Sequence, residues 1–286
     1  MHKEFTKQDY HNRISRVIDY IHDNLYQSDM SLDDLAQIAC LSPYHFHRIY
    51  VGVTGETIAK TIRRLKLHRA AYSLVKTDIS VDRISAKAGY ANIESFIRKF
   101  NEDFKLTPAA YRKRGKFIIS QVNESNLKEN LNMYEVEIVE LEDIRLAVME
   151  HSGNYMNIGR VFEKFFSTVA THNMMREDKR CFGIYYDNPK TVPEDKLRSK
   201  AGMTLADDQN PVGGMKEHII EGGKYAVILR KGPYSDAVSA YDWLFGPWLT
   251  ESGYEVADKP ALEEYINSPR EVEPSELLTK IYMPLK

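Results

Sequence analysis

The chain has 286 residues, 43% hydrophobic and 28% charged, which suggests about two globular domains. No apolar run approaches the ~18 residues of a membrane span. The start, Met1-His2-Lys3-Glu4-Phe5, has no apolar stretch behind its charges to act as a signal peptide. Two scattered cysteines, Cys40 and Cys181, point to a reduced, cytoplasmic protein rather than a disulfide scaffold. The net charge of −2 conceals an asymmetry. Residues 1–115 carry 19 Lys/Arg against 13 Asp/Glu, and residues 116–286 carry 20 against 28. A basic half suits a polyanion; an acidic half suits something neutral or cationic.

Ile14, Val17, Ile18, Ile21 and Leu25 recur at helical spacing, so residues 13–25 are expected to be a helix. Ser31 before Leu32-Asp33-Asp34 is a cap with acidic residues in the first turn. That helix stops near Cys40-Leu41, with Cys40 expected as a small buried residue in the turn. Ser42-Pro43 starts the next, with Phe46, Ile49 and Tyr50 facing inward and Tyr44, His45, His47 and Arg48 left for other faces. Helix, short turn and polar second helix is the helix-turn-helix outline. It returns: Ser80-Val81-Asp82-Arg83-Ile84 copies Ser31-Leu32-Asp33-Asp34-Leu35 at an offset of 49, and Phe96, Arg98 and Phe100 copy Phe46, Arg48 and Tyr50 at an offset of 50. A basic helix over 57–76, with Arg63, Arg64, Lys66 and Arg69, spaces the copies. Two such units suit successive major grooves, about 34 Å apart, on one face of double-stranded DNA. His45 and His47 are two apart and share no helix face, so no metal site is expected there.

The run Ile84-(x3)-Ala88-Gly89-Tyr90-(x5)-Phe96-(x)-Arg98-(x)-Phe100, closing in Thr107-Pro108-Ala109-Ala110-Tyr111-Arg112, resembles the DNA-binding domain of the AraC/XylS transcription regulators over residues 10–115. The resemblance implies that the first recognition helix presents Tyr44, His47 and Arg48 to DNA, and the second Asn92, Ile93, Glu94 and Arg98. The second set departs from the usual polar run: Ile93 and Ile97 are apolar and Glu94 is acidic, so it is expected to contact phosphates more than bases. Arg48 has the fork to pair with guanine O6 and N7, worth roughly 1–3 kcal/mol of discrimination. The plainer alternative is that Arg48 and Arg98 hold the fold through a carboxylate.

Residues 116–131, rich in Asn, Ser and Glu from Ser120 on, are expected to link this domain to a second one over 132–286. There the sequence repeats, 134–205 laying over 213–285. Gly153-x-Tyr155 matches Gly232-x-Tyr234 and Phe162-Glu163 matches Tyr241-Asp242 at an offset of 79. Tyr185, Pro189, Leu197 and Met203 match Tyr265, Pro269, Leu277 and Met283 at an offset of 80. Each copy reads as two strands, a helix and two strands. The expected fold is therefore two domains: an all-α one with two helix-turn-helix units, and an α+β pseudo-twofold repeat of antiparallel strands and helices with a cleft at its seam.

Lys231-Gly232-Pro233-Tyr234, Trp243-Leu244-(x3)-Trp248, Glu263-Glu264-Tyr265-Ile266-Asn267-Ser268-Pro269 and Lys280-Ile281-Tyr282-Met283-Pro284-Leu285 resemble the GyrI-like ligand-binding domains. That resemblance implies an aromatic cleft with one acidic residue, binding hydrophobic and often cationic small molecules. The acids occur in one copy only, since Glu263 aligns with Gly183 and Glu264 with Ile184. The family motif selects Glu263, on one strand face with Tyr265; alternation also admits Glu264, between Leu262 and Ile266, as the buried acid. Tyr185, Tyr155, Tyr234, Trp243 and Trp248 complete the candidate cleft. Tyr241, Leu244, Phe245 and Trp248 share a helix face and also read as core, which makes Trp243 the stronger ligand wall.

No catalytic constellation, phosphate loop or cofactor motif stands out. The reading is a non-enzymatic, sequence-specific transcription regulator of the cytoplasm, modulated by a hydrophobic, cationic effector and working with RNA polymerase. Its alternatives are a C-terminal hydrolase or drug-sequestering module, and a module binding a protein such as a topoisomerase.

Overall fold

The computed structural model describes residues 2–26, 30–116 and 133–286. The expected linker, 116–131, lies outside the described residues except for Lys116. Seven helices come first: α1 (His2–Asp23), α2 (Leu32–Ile38), α3 (Pro43–Thr54), α4 (Ile58–Lys76), α5 (Val81–Lys87), α6 (Ile93–Phe104) and α7 (Pro108–Arg114). Their starts follow local chemistry. The Ser31 hydroxyl accepts from the Asp34 amide while the Asp34 carboxylate accepts from the Ser31 amide, and Thr57, Asn92 and Thr107 cap α4, α6 and α7 by the first of these bonds alone. Cys40 departs from expectation. It is exposed, in the left-handed turn after α2 with φ of 54°, because the chain reverses there before α3.

The second half contains β1 (Val136–Leu141), β2 (Ile144–Ser152), α8 (Ile158–Thr171), β3 (Cys181–Tyr185), β4 (Arg198–Thr204), β5 (Lys216–Ile220), β6 (Gly223–Lys231), α9 (Ala237–Trp243), α10 (Leu249–Ser252), β7 (Ala261–Tyr265) and β8 (Leu278–Pro284). The eight strands form one antiparallel sheet in the order β1-β6-β8-β7-β3-β4-β2-β5. The two copies meet at β3 and β7, and each lends its first strand to the other: β1 pairs with β6, and β5 with β2. At the centre Gly183 sits opposite Glu263. These are also the residues related by the 80-residue offset, so the pseudo-twofold axis passes between them. Between α9 and α10, Leu244–Trp248 form a π-helical turn around Pro247. Proline has no amide to donate and its ring crowds the preceding turn, and the wider turn accommodates both effects.

The core crosses the boundary expected between the halves. Ile14, Val17, Phe46, Ile49 and Tyr50 share one hydrophobic cluster with Tyr241, Phe245, Leu249 and Val256. The second helix-turn-helix unit has its own core of Leu67, Leu74, Ile84, Phe96, Phe100 and Tyr111. The other face of the sheet buries a third cluster, including Leu146, Phe182, Ile184, Val227, Leu262 and Tyr282. No helix among the described residues is long and apolar enough to cross a membrane.

Candidate functional site

Strand alternation sends neighbouring acids to opposite faces of β7. Glu264 points into the third cluster. There Arg180 donates to it through Nε at 2.7 Å and Nη2 at 3.0 Å, and the Tyr282 hydroxyl also donates to it. Burial alone would raise its pKa, but the bonds from Arg180 and Tyr282 outweigh burial and hold it below the ordinary range. It is an ion pair with its partners in place.

Glu263 points to the helical face and is 7% exposed. The Tyr241 hydroxyl donates to Oε1 at 3.0 Å and the Tyr265 hydroxyl to Oε2 at 3.0 Å. The Tyr185 and Tyr265 oxygens are 2.6 Å apart. Because the Tyr265 proton is directed at the carboxylate, Tyr185 is the donor in that pair, giving a chain from Tyr185 through Tyr265 to Glu263. Burial raises the Glu263 pKa, and the two phenols and the more distant Arg230 only partly offset it. The same burial, with the carboxylate nearby, lifts Tyr185, Tyr241 and Tyr265 well above the ordinary phenol range.

The rest of this aromatic cluster repeats across the pseudo-axis. The Tyr155 ring meets Tyr185 edge-on at 4.9 Å, and Tyr234 meets Tyr265 at 5.3 Å. The Tyr155 hydroxyl lies 3.0 Å from the Asp187 and Arg198 carbonyls and accepts from the Asp187 amide, so it braces the local turn. Buried Arg230 donates to the carbonyls of Gly232 and Pro233 and pins the turn that carries Tyr234. Phe162 closes on Tyr265 at 5.4 Å. Gly183 supplies the space. A Cβ there would lie 2.7 Å from the Tyr265 hydroxyl and 2.9 Å from the Tyr185 ring.

Glu263, Tyr265, Tyr185, Tyr155 and Tyr234 are thus brought together. The tryptophans are not. Trp243 is buried against Tyr134, with ring centres 5.3 Å apart, and Trp248 stacks on Tyr254. The helix buries Trp243, leaves Trp248 partly buried at the margin of the core, and gives the position beside Glu263 to Tyr241. Sequence reading passed over Tyr241 as core, although the repeat held the signal: it places a hydroxyl where the first copy has Phe162.

The two recognition helices stand in different environments. On α6, Glu94 and Arg98 are exposed and Ile93 is half-buried; Asn92 is also exposed, its side chain accepting from the Ser95 amide at 2.8 Å. On α3 the candidate residues are covered by the second half. Arg48 is 7% exposed and His47 9%, and Tyr44 is partly buried. Among the described residues the Arg48 guanidinium meets no carboxylate. It lies over the rings of Tyr44 at 4.9 Å, Tyr241 at 5.2 Å and Phe245 at 5.2 Å. His45 stacks on Phe245 at 5.4 Å, and its Nε2 is 3.1 Å from the Ala257 carbonyl oxygen. Burial and the charge of Arg48 lower its pKa to about 3, so it is neutral there.

Residues 134–286 match the family model of the GyrI-like small molecule binding domain, and residues 35–114 that of a helix-turn-helix domain. The Transposon Tn10 TetD protein of Escherichia coli is 35% identical over 111 residues, 38% of this chain and 80% of that protein. A protein named DNA gyrase inhibitor, from Erwinia billingiae (strain Eb661), is 30% identical over 136 residues, 46% of this chain and 86% of the relative. The uncharacterized HTH-type transcriptional regulator YbfP of Bacillus subtilis (strain 168) is 29% identical over 122 residues, 43% of this chain but only 41% of that protein.

Proposed function

Because the chain belongs to the family of GyrI-like small molecule binding domains and carries an AraC-type helix-turn-helix domain ahead of it, we propose that it is a cytoplasmic transcription regulator whose hold on double-stranded DNA responds to a hydrophobic cation bound at Glu263. Residues 1–115 contact DNA, residues 132–286 receive the effector, 116–131 joins them, and the protein works with RNA polymerase. The observation that carries this reading is the buried Glu263 carboxyl, ringed by Tyr185, Tyr241 and Tyr265 at the seam of the repeat. Aromatic faces beside a desolvated carboxylate favour a soft organic cation, by charge and by cation–π contacts of ~0.5–2 kcal/mol each. Glu264 already has Arg180 as its cation, so Glu263 is the effector acid. Neither acid serves a reaction in this reading, and the protein acts by binding.

The test is thermal unfolding of the full chain with tetraphenylphosphonium, tetraphenylborate and a neutral aromatic compound. Only the cation should stabilise, by about 2.7 kcal/mol at 100 times its dissociation constant. Glu263→Gln should abolish the shift and Glu264→Gln should retain it. Equal shifts with all three compounds, or turnover of a small molecule that requires Glu263, would sink the reading. The relative named DNA gyrase inhibitor supports a second one, in which residues 132–286 bind a topoisomerase. Co-purification with gyrase in the absence of DNA would support that alternative.

A further inference from the structure

Three residues expected to read DNA are packed against the effector-binding half. The contact is close along its length. A Cβ on Gly52 of α3 would lie 2.4 Å from the Cα of Gly246 in the π-helical turn, so two glycines let the backbones touch. Nearby, the Val256 amide donates to the Tyr10 hydroxyl at 3.1 Å. Between these points Arg48 enters an aromatic cage whose walls come from both halves: Tyr44 from α3, Tyr241 and Phe245 from the bent helix. One wall is shared with the cleft, because the Tyr241 hydroxyl is the donor to Glu263 Oε1.

We infer that α3 is docked as an internal ligand of the effector domain, with Arg48 as the cation at the mouth of the cleft, and that an organic cation entering beside Glu263 displaces it and frees Tyr44, His47 and Arg48 for DNA. This deepens the proposed function and rests on its effector site. Exclusion follows from geometry. A guanidinium enclosed by three rings and 7% exposed is not available to a base edge, and α3 cannot both lie against Gly246 and enter a major groove.

The docked state is also suited to exchange. Arg48 has no carboxylate partner among its described contacts, and its Nη1 makes no hydrogen bond. A buried charge packed on ring faces with no carboxylate beside it among the described residues keeps much of its desolvation cost. An external cation that adds direct contact with Glu263 therefore has an advantage over the internal one. The second unit, on its separate core with Glu94 and Arg98 exposed, is left free in the docked state to hold DNA weakly through phosphates. Displacement then changes the number of engaged recognition helices from one to two.

The test uses the full chain and a DNA duplex selected from random sequence by a wedge variant, Gly246→Leu, which opens the contact without altering any DNA-facing residue. Circular dichroism and thermal unfolding check that the variant is folded. By fluorescence anisotropy, the wedge should bind the duplex at least tenfold more tightly than the unsubstituted chain. Tetraphenylphosphonium should raise the affinity of the unsubstituted chain toward the wedge value and add little to the wedge, since a ligand can only recover the competent fraction that docking removed. Should the wedge fail to fold, Arg48→Ala serves. Losing the internal cation, it should bind tetraphenylphosphonium several-fold more tightly while losing sequence-specific DNA binding, a gain that a merely structural arginine would not give. Equal DNA affinity of wedge and unsubstituted chain, or an unchanged or weakened cation affinity in Arg48→Ala, overturns the inference. If no variant binds the cation, the effector reading falls with the displacement step, and the DNA affinity of the wedge alone then decides whether α3 is held by docking.

Discussion

Glu263 should make effector binding pH-dependent in one direction. Its carboxyl is buried, and burial raises its pKa more than the phenols of Tyr265 and Tyr241 lower it. Proton and organic cation therefore compete for one site. Above the raised pKa the carboxylate is ionised and cation affinity is at its plateau. Below it, each pH unit should cost about tenfold in affinity, or about 1.4 kcal/mol. A cation ~5 Å from the carboxylate at an effective dielectric of ~20 gains about 3 kcal/mol. Glu263→Gln should thus weaken binding by roughly a hundredfold and flatten the pH profile, while one of the two phenols, Tyr241 or Tyr265, keeps an oxygen to donate to. The assay is isothermal titration calorimetry with tetraphenylphosphonium from about pH 4 to 8 in buffers of different ionisation enthalpy, so that proton release on binding is counted. The same shift has a consequence for stability. A carboxyl whose folded pKa lies above its unfolded value adds stability below the unfolded pKa, and that stability is lost as pH rises through the folded pKa. Removing this slope from the unfolding curve is a second signature of Glu263→Gln. Identical cation affinity across the pH range in wild type and variant, with no proton released, would refute the assignment of the acid.

Glu264 should behave oppositely. Its folded pKa is lowered by Arg180 and Tyr282, so its contribution is present above the unfolded carboxylate range and is lost as pH falls through the folded pKa. Arg180→Met, which leaves a buried carboxylate without its cation, should cost up to about 3 kcal/mol, discounted because Arg180 is partly exposed, and urea unfolding at neutral and acidic pH measures both effects. Gly183→Ala should cost about 1–3 kcal/mol by overpacking and weaken cation binding by forcing Tyr185 and Tyr265 apart; a variant of unchanged stability and affinity would refute the tight fit. Asn92→Ala should lose about 1 kcal/mol of helix capping. Arg98→Ala should reduce the salt slope of DNA binding by about one phosphate contact, as read by anisotropy at several salt concentrations.

Much of this architecture is legible in residue order. Ser31, Ser80 and Thr107 mark helix starts by their hydroxyls, and the strand alternation around Glu263 and Tyr265 predicts their common face. The repeat offset aligns Gly183 with Glu263, and the sheet then sets the two opposite each other. What sequence does not carry is how elements distant in the chain meet. The indoles of Trp243 and Trp248 are taken up by Tyr134 and Tyr254, residues outside the helix face that periodicity describes. The covering of Arg48 depends on α3 and the bent helix touching through Gly52 and Gly246, residues 194 positions apart in the numbering. A helical periodicity reports which residues are not in the local core. It does not report whether water, DNA or another part of the chain lies beyond them.

The position of the acid follows from the symmetry of the repeat. Side chains on a twofold axis meet their own equivalents, so an acid in both copies would set two carboxyls against each other in a buried site and force one to stay protonated. Here the axis lies between β3 and β7, and the pair is Gly183 and Glu263. Glycine on one side makes the volume and the acid on the other supplies the charge. The same division holds one layer away, where the first copy offers the Phe162 ring and the second the Tyr241 hydroxyl. The first copy therefore contributes mainly surface and the second mainly polarity. The helix that carries Tyr241 also receives α3, so the half of the repeat that holds the acid is the half in contact with α3.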